Sequence, residues 1–273
     1  MSSGTEPQQR QRSPLPRSIY REVWSEPALG CAAYRIDTEP WSVDKLATEL
    51  TVWLAQLGGA GPCLVRTATV TRDIAKSQVL SRAGFYPVGS RLVLMIDSAH
   101  ADKLHQGVET RRLRLASSAD LAGITDIGVR WNERHAGNPA DPRIGATWAQ
   151  QGFGLWLDMA WRRGARLYAY ERFPQVRLDG FVLFEPMGAR TVCLQCFAAA
   201  ETPASAALAA ELLGIATRRC FTRGSEIVKA QVPSADLESI NTLFDLGFIL
   251  DRAMTHWHRW LDVPQEKPCV AES

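Results

Sequence analysis

The 273-residue sequence contains no apolar run close to the roughly 20 residues that a membrane-spanning helix needs. Its first residues, MSSGTEPQQRQRSPLPRS, are polar and include prolines, with no apolar segment of the kind found in secretion signals. We therefore expect a cytoplasmic protein without a membrane anchor. The polar ends predict disordered tails over residues 1–17 and 263–273.

A strong excess of either charge is also missing. The chain has 31 Lys and Arg residues against 29 Asp and Glu residues, a formal charge of +2. This balance gives no electrostatic argument for a nucleic-acid partner. Hydrophobic residues make up 46% of the chain and charged residues 22%, a composition typical of globular proteins, and the length suffices for two domains.

Clustered metal ligands are missing as well. Of the six cysteines, only Cys193 and Cys196 have a metal-like spacing, and they lie in the apolar segment TVCLQCF, which predicts a strand. Residues three apart on a regular strand point to opposite faces, and no second pair or His cluster completes a site. We therefore predict buried thiols and no metal.

Two segments of the chain resemble each other closely. AKSQVLSRAGFYPVGSRLVLMID and DLESINTLFDLGFILDRAMTHWHRWL each predict a short helix, a Gly-Phe pair and two consecutive strands. Leu80, Gly84 and Phe85 fall in register with Leu243, Gly247 and Phe248. Gly at a helix end supplies a left-handed residue, and the following Phe can pack back on the helix. This repeat predicts an internal duplication, with its boundary near residues 98–108.

The order of predicted elements resembles that of the GCN5-related N-acetyltransferases (the GNAT family). Residues 109–262 predict a strand, two helices, three strands, a helix, a strand, a helix ending in Gly-Phe, and closing strands, as in one complete unit. Residues 18–98 are similar to a truncated or degenerate unit. The resemblance implies an α/β fold, a mixed sheet flanked by helices, in two tandem copies. It is closest to acetyltransferases of nucleotide-linked amino sugars such as TDP-fucosamine.

The resemblance also implies a site for acetyl-CoA or another acyl thioester. The family binds the pyrophosphate with the motif Q/R-x-x-G-x-G/A at the start of its central helix, where free N–H groups meet the anion. The matching positions here are Ala204, Ser205, Ala206, Ala207 and Ala209. The Gln/Arg has become Ala204 and the first Gly has become Ala207, so the motif is degenerate. The Tyr that many members use as a general acid corresponds to Leu243.

Several residues remain candidates for the chemistry. The resemblance implies that backbone groups of Phe197, Ala198 and Ala200, on a strand splayed from its neighbour, hold the acyl-pantetheine arm. Acyl transfer to an amine also needs a proton acceptor. The candidates are His135, His256, Glu171 and Glu185, with an exposed loop position, cross-strand packing and ion pairing as the structural alternatives. Arg134, Asp141 and Arg143 are candidates for binding a charged acceptor, with loop capping and surface charge as their alternatives.

Three functions are consistent with these features. The first is an N-acyltransferase that acylates the amine of a nucleotide amino sugar or a specialised metabolite, with acyl-CoA or a carrier-protein thioester as donor. The second is an aminoacyl-tRNA-dependent transferase of tandem GNAT fold. The third is a non-catalytic binding protein of the same fold. The missing glycines and the missing Tyr are compatible with each of the three.

Overall fold

The computed structural model describes residues 18–58, 61–104, 113–135, 141–144, 146–171, 178–200 and 205–261. Both predicted tails lie outside these ranges. None of the helices within them is long and apolar enough to cross a membrane.

The first half of the chain supplies four strands and three helices. After β1 the chain forms a short 3-10 helix, Val23–Ser25. The elements are β1 (Ile19–Arg21), α1 (Glu26–Leu29), β2 (Ala32–Asp37), α2 (Val43–Gly58), β3 (Cys63–Val70), α3 (Ile74–Arg82) and β4 (Tyr86–Asp97).

The second half follows the predicted order of elements. Short 3-10 helices precede its first strand and its first α-helix, at Ser98–Lys103 and Ser118–Asp120. The elements are β5 (Leu113–Leu115), α4 (Leu121–His135), α5 (Ala146–Arg162), β6 (Arg166–Tyr170), β7 (Gly180–Pro186), β8 (Thr191–Ala199), α6 (Ser205–Thr222), β9 (Ile227–Pro233), α7 (Leu237–Asp245) and β10 (Ile249–Leu261).

The ten strands of the described ranges form one mixed sheet, in the order β1-β2-β3-β10-β4-β9-β8-β7-β6-β5. The last strand of the second half, β10, therefore lies between β3 and β4 of the first half. In return β4 pairs with β9 of the second half. The mixed α/β fold is as predicted, and the two halves are joined by exchanged strands within one continuous sheet.

The predicted repeat has the same geometry in both copies. Gly84 and Gly247 both adopt left-handed backbone conformations, with φ of 77° and 89°. The N–H of Phe85 donates to the carbonyl of Leu80, and the N–H of Phe248 donates to that of Leu243, each at 3.0 Å. Each helix also begins with an aspartate cap, Asp73 and Asp236, whose side chain accepts a backbone N–H. The same sequence signals thus build the same unit twice.

The two copies pack against each other with approximate two-fold symmetry. Aligned on their glycines, Tyr86 corresponds to Ile249 and Met95 corresponds to His258. Across the β4–β10 pair, Tyr86 lies opposite His258 and Met95 lies opposite Ile249, which is the pairing that a two-fold axis requires. The register skips one residue on each strand, Val88 and Asp251, and these two positions also correspond.

These bulges correct one detail of the sequence analysis. Phe85–Val88 and Arg91–Ile96 were predicted as two strands, and FILDRAM and THWHRWL as another two. Each pair is a single long strand instead, β4 and β10. A bulge absorbs the irregular residue without a turn, so the strand continues past it.

The helices cover the two faces of the sheet unequally. Helices α2 and α3 pack on one face of the first half around Leu46, Leu80 and Trp257. Helices α6 and α7 cover the corresponding face of the second half. On the opposite face, α4 and α5 cover the strands of the second half around Phe153 and Phe181. This leaves a cavity beside α5, over the strands of the first half.

Candidate functional site

Strands β8 and β9 separate partway along their length. They pair in parallel from Thr191 with Ile227 to Leu194 with Ala230, and no further pair is formed although both strands continue. The resulting gap, which we call the wedge, is the predicted splay between these strands. In the first half, β2 pairs with β3 along its whole length, from Ala32 to Asp37, so the described strands there contain no such gap.

A bulge in β8 accompanies the wedge. The β7–β8 register shifts so that Leu183 lies opposite Cys196 and Phe184 opposite Leu194, which leaves Gln195 without a partner. Cys193 therefore lies opposite Glu185. Because Glu185 is two residues from Leu183, the partner of Cys196, the two cysteines share one face of the sheet. The prediction that these cysteines point to opposite faces is wrong, because the bulge adds one residue between them. Both thiols are buried, and burial raises the pKa of Cys193 to about 12.

The direction of the backbone groups at the wedge follows from one hydrogen bond. The N–H of Ala200 donates to the carbonyl of Asp179, towards β7. Since successive residues of a strand alternate, Ala198 also faces β7, while Phe197 and Ala199 direct their N–H and C=O groups towards the wedge. Of the three predicted backbone positions, Phe197 is therefore the one that meets an occupant of the gap.

The wedge opens onto a cavity between the two halves, which we call the central cavity. It consists of two adjoining spaces of about 350 and 480 Å³. Gln195 and Cys196 of β8 and Gln231 of β9 line it at the wedge. The residues shared by the two spaces are Glu22, Trp24, Arg35, Ala68, Gln231 and His256.

The two sides of the central cavity differ in chemistry. Its floor is the sheet, which presents polar and basic side chains, among them Arg35, Arg66 and Arg91. Its opposite wall consists of aromatic side chains from the helices, and these are Trp24, Trp131, Trp148, Phe153 and Trp156. The cavity thus has a basic floor and an aromatic wall.

Arg66 is held in place from several sides. It forms an ion pair with Glu22, and its guanidinium lies 5.9 Å from the ring centre of Trp24 and 5.5 Å from that of Trp148. The two tryptophan rings are themselves 5.6 Å apart. Arg66 therefore connects the floor to the aromatic wall, and its charge is already compensated.

Arg35 and Arg91 differ from Arg66, since neither forms an ion pair with a described carboxylate. Arg91 lies on β4 near the centre of the sheet, opposite Met254 of β10. Protein surrounds its guanidinium while leaving it accessible from the cavity, and this desolvation lowers the pKa of Arg91, with the nearby Arg35 charge adding to the effect. Both side chains line the cavity.

Asp141 is the most extensively bonded carboxylate of the site. It is fully buried, and its Oδ2 accepts hydrogen bonds from Tyr86 Oη at 2.9 Å, Trp260 Nε1 at 2.9 Å and His258 Nδ1 at 2.7 Å. These hydrogen bonds outweigh burial and lower the pKa of Asp141, while burial and this contact raise the pKa of Tyr86 to about 12. Asp141 thus joins the α4–α5 connection to β4 and β10 and is not accessible to an acceptor. Its position fits the loop-capping alternative and not the binding of a charged acceptor.

His258 is the functional candidate that the sequence analysis left out. An ionised carboxylate only accepts hydrogen bonds, so Nδ1 of His258 must carry the ring proton and donate it to Asp141. Because His258 lines the cavity, its other ring nitrogen, Nε2, is the one that can accept a proton from a ligand there. Burial lowers the pKa of His258, and the Asp141 contact opposes that shift, so the ring is neutral at pH 7. The sequence signal that could have identified His258 is its spacing of two residues from His256, which places both histidines on one strand face. Nothing in the sequence linked either histidine to Asp141.

His256, one of the candidate bases, also lines the central cavity, and its ring is less basic than that of a free histidine. Desolvation, together with the charges of Arg91 and Arg35, lowers the pKa of His256 to about 3. A base with so low a pKa binds a proton weakly and contributes little to proton transfer near neutral pH. His256 can therefore position a ligand better than it can accept its proton.

The two predicted carboxylate bases have different surroundings. Glu171 forms an ion pair with Arg114, which also binds both carboxylate oxygens of Asp120. This is the structural alternative given above. Glu185 lies on the cavity face of β7, and burial raises its pKa, but it does not line the cavity.

Several predicted residues have side chains outside the described part of the structure. His135 is the last residue of α4, and Arg134 precedes it, but only their helical backbone is described. Ala204 lies outside the described residues, and of Ser205 and Ala206 only the backbone is described.

Ala207 is exposed and Ala209 is half-buried on α6. Arg143 is exposed, and its backbone N–H donates to Oδ1 of Asp141 at 3.0 Å.

No grouping of three or more His, Cys, Asp or Glu side chains within the described ranges could hold a metal ion. No family model matches the sequence, and no curated protein matches it.

Solved structures of similar fold do exist. A GCN5-related N-acetyltransferase from Sphaerobacter thermophilus is similar with a TM-score of 0.56 and 13% identity, over 89% of this chain and 76% of that one. A GCN5-related N-acetyltransferase from Kribbella flavida has a TM-score of 0.53 and 12% identity, over 88% of this chain and 86% of that one. A tandem GNAT protein from the clavulanic acid biosynthesis pathway has a TM-score of 0.54 and 12% identity, over 84% of this chain and 75% of that one. The chain thus shares the mixed α/β fold of these GNAT structures.

Proposed function

We propose that this protein is an N-acyltransferase that moves an acyl group from a thioester to the amine of a small acceptor bound in the central cavity. The observation that carries this proposal is the wedge between β8 and β9, which opens onto a cavity lined by a histidine with a carboxylate partner. The fold shared with known acetyltransferases supports the same reaction class.

The donor enters the wedge in this proposal. Phe197 and Ala199 offer backbone groups on the open edge of β8, and such groups can pair with the amides of a pantetheine arm. Helix α6 begins at Ser205, six residues after the end of β8, so its N-terminus lies within roughly 20 Å of the open end. Exposed Ala207 stands where the family has a glycine, which favours a donor held mainly by its pantetheine arm. Acyl-CoA and an acyl carrier protein both supply that arm.

His258 is the proposed base. The acceptor nitrogen attacks the thioester carbonyl carbon, the C–N bond forms, and Nε2 of His258 takes the proton that the nitrogen loses. The C–S bond then breaks, and the departing thiolate takes up a proton. Asp141 holds the His258 ring in the required tautomer and stabilises its protonated form, as carboxylates do for histidine bases elsewhere. An amine on a nucleotide sugar or on a specialised metabolite fits this scheme as acceptor.

A thiol-release assay with acetyl-CoA, longer acyl-CoAs and acyl-pantetheine, each with a panel of primary amines, tests the proposal. We expect the His258→Asn variant to lower kcat by about 100-fold or more, because a positioned general base contributes on that order. Asp141→Asn should also lower kcat, and the remaining activity should shift in its pH profile. Melting curves of both variants separate this loss from unfolding.

His100 supplies a matched control for the base. Its Nδ1 also lies 2.7 Å from a carboxylate oxygen, that of Asp97, but both side chains are exposed and do not line the cavity. The His100→Asn variant should keep the activity of the unmodified protein. The proposal is wrong if no thioester of the panel releases thiol in an amine-dependent way. Equal turnover in His258→Asn would remove His258 as the base.

A further inference from the structure

We infer that the central cavity selects an acceptor that carries both an acidic group, a carboxylate or a phosphate, and a planar ring. This inference rests on the proposed function and specifies its substrate class. The observation behind it is that two arginines without an ion pair to a described carboxylate and a group of aromatic rings face the same cavity.

Arg35 and Arg91 are available to bind an anion. Most other basic side chains of the cavity are already paired: Arg66 with Glu22, Arg252 with Glu39, and Lys229 with Asp251. Arg35 and Arg91 have no such described partner, and both side chains are exposed to the cavity, so their charges are available to a ligand. An anionic group of the ligand would supply the missing charge, and the planar guanidinium suits both carboxylate and phosphate oxygens.

The positions of these two residues favour a single anion. Arg35 lies on β2, Arg91 on β4, and both charges act on the imidazole of His256 between them on β10. Desolvation lowers the pKa of Arg91 and the charge of Arg35 lowers it further, so an anion placed between the two arginines would stabilise both. The neutral His256 can add a hydrogen bond to the same group.

The opposite wall fits a flat apolar body. Trp24 and Trp148 lie 5.6 Å apart, and Phe153 and Trp156 lie 5.5 Å apart, all lining the cavity. Aromatic rings of a ligand gain energy from stacked or tilted contacts with such side chains. The spaces of about 350 and 480 Å³ are of the size that binds small molecules. An acidic ligand with a planar ring would therefore contact both the floor and the wall.

Two pairs of probes test this inference by tryptophan fluorescence, since several tryptophans line the cavity. The first pair is thymidine diphosphate and neutral thymidine, and the second is phenylacetate and neutral phenylacetamide. In at least one pair we expect the anion to bind at least about tenfold more tightly than its neutral counterpart, a difference of about 1.4 kcal/mol. The pair that responds identifies the acidic group as phosphate or carboxylate.

Arginine variants locate the binding. Arg91→Gln and Arg35→Gln should each remove most of the preference for the anion and leave binding of the neutral probe nearly unchanged. Arg190→Gln is the control, because Arg190 pairs with exposed Glu226 and does not line the cavity. A preference for the anion that survives both cavity variants overturns the inference, and so does equal binding of anion and neutral probe in both pairs.

These titrations need no acyl donor and no turnover. Selective anion binding by a protein that never transfers an acyl group would support the inference and reject the proposed function. Efficient acylation of neutral amines, without anion binding in the cavity, would support the function and reject the inference.

Discussion

His258 and Asp141 show how a residue's environment decides its role. The sequence offered both, one on a strand and one in a polar loop, more than a hundred positions apart. Their contact at 2.7 Å makes the histidine a candidate base and the aspartate a buried positioning residue. The sequence analysis instead gave His256 as one of four candidate bases, and burial beside Arg91 and Arg35 makes that ring the weaker base of the two histidines.

The low pKa of His256 leads to a prediction about stability. Its pKa is about 3 in the folded chain against 6.5 in an exposed histidine, so between these pH values the unfolded chain binds more protons. Stability should therefore fall as the pH falls from 6.5 towards 3. Because solvent reaches the cavity, we expect His256 to contribute about 1 kcal/mol of the loss between pH 7 and 5.

Urea unfolding at pH 7 and pH 5 checks this expectation. The His256→Gln variant should lose less stability between the two pH values than the unmodified protein, while His100→Asn, at an exposed position, should behave as the unmodified protein does. An unchanged pH dependence in His256→Gln would show that the ring is not desolvated as described.

At the scale of single elements, the helix–Gly-Phe–strand unit was readable in detail. Its glycines, phenylalanines and apolar helix positions act through local geometry, which repeats wherever the pattern repeats. The bulges at Val88, Gln195 and Asp251 were not readable, because a bulge depends on the register with a neighbouring strand. For the same reason the sequence placed Cys193 and Cys196 on opposite faces and divided β4 and β10.

The repeated glycines predict matched energetic effects. An added Cβ at Gly84 or Gly247 meets no atom closer than 3.5 Å, so the cost of alanine at either position arises from the left-handed backbone. We expect Gly84→Ala and Gly247→Ala each to lower the free energy of unfolding by about 1 kcal/mol. Urea unfolding measures both variants.

Gly188 supplies the control for these variants. It has open space around its Cα and no left-handed φ, so Gly188→Ala should leave stability unchanged or slightly raise it. A loss in Gly188→Ala equal to that of the other two variants would contradict the explanation through the backbone.

At the scale of the whole molecule, the exchanged strands make the halves interdependent. Removing either half would leave one long strand of the other, β4 or β10, without any partner, and would take one neighbour from a second strand, β3 or β9. We therefore expect the protein to unfold in one cooperative transition. Tryptophan fluorescence and far-ultraviolet circular dichroism should give coincident urea curves, and two separated transitions would contradict the interdependence.

The sequence by itself determined the α/β fold class, the element order of the second half and the duplicated unit. These features follow from hydrophobic periodicity, capping residues and left-handed glycines, all of which act between near neighbours in the chain. The tertiary structure alone decided the exchange of β4 and β10, the contact between Asp141 and His258, and the gathering of Arg35, Arg91 and the aromatic wall around one cavity. These depend on strand register and on contacts between distant segments, which local sequence patterns do not encode.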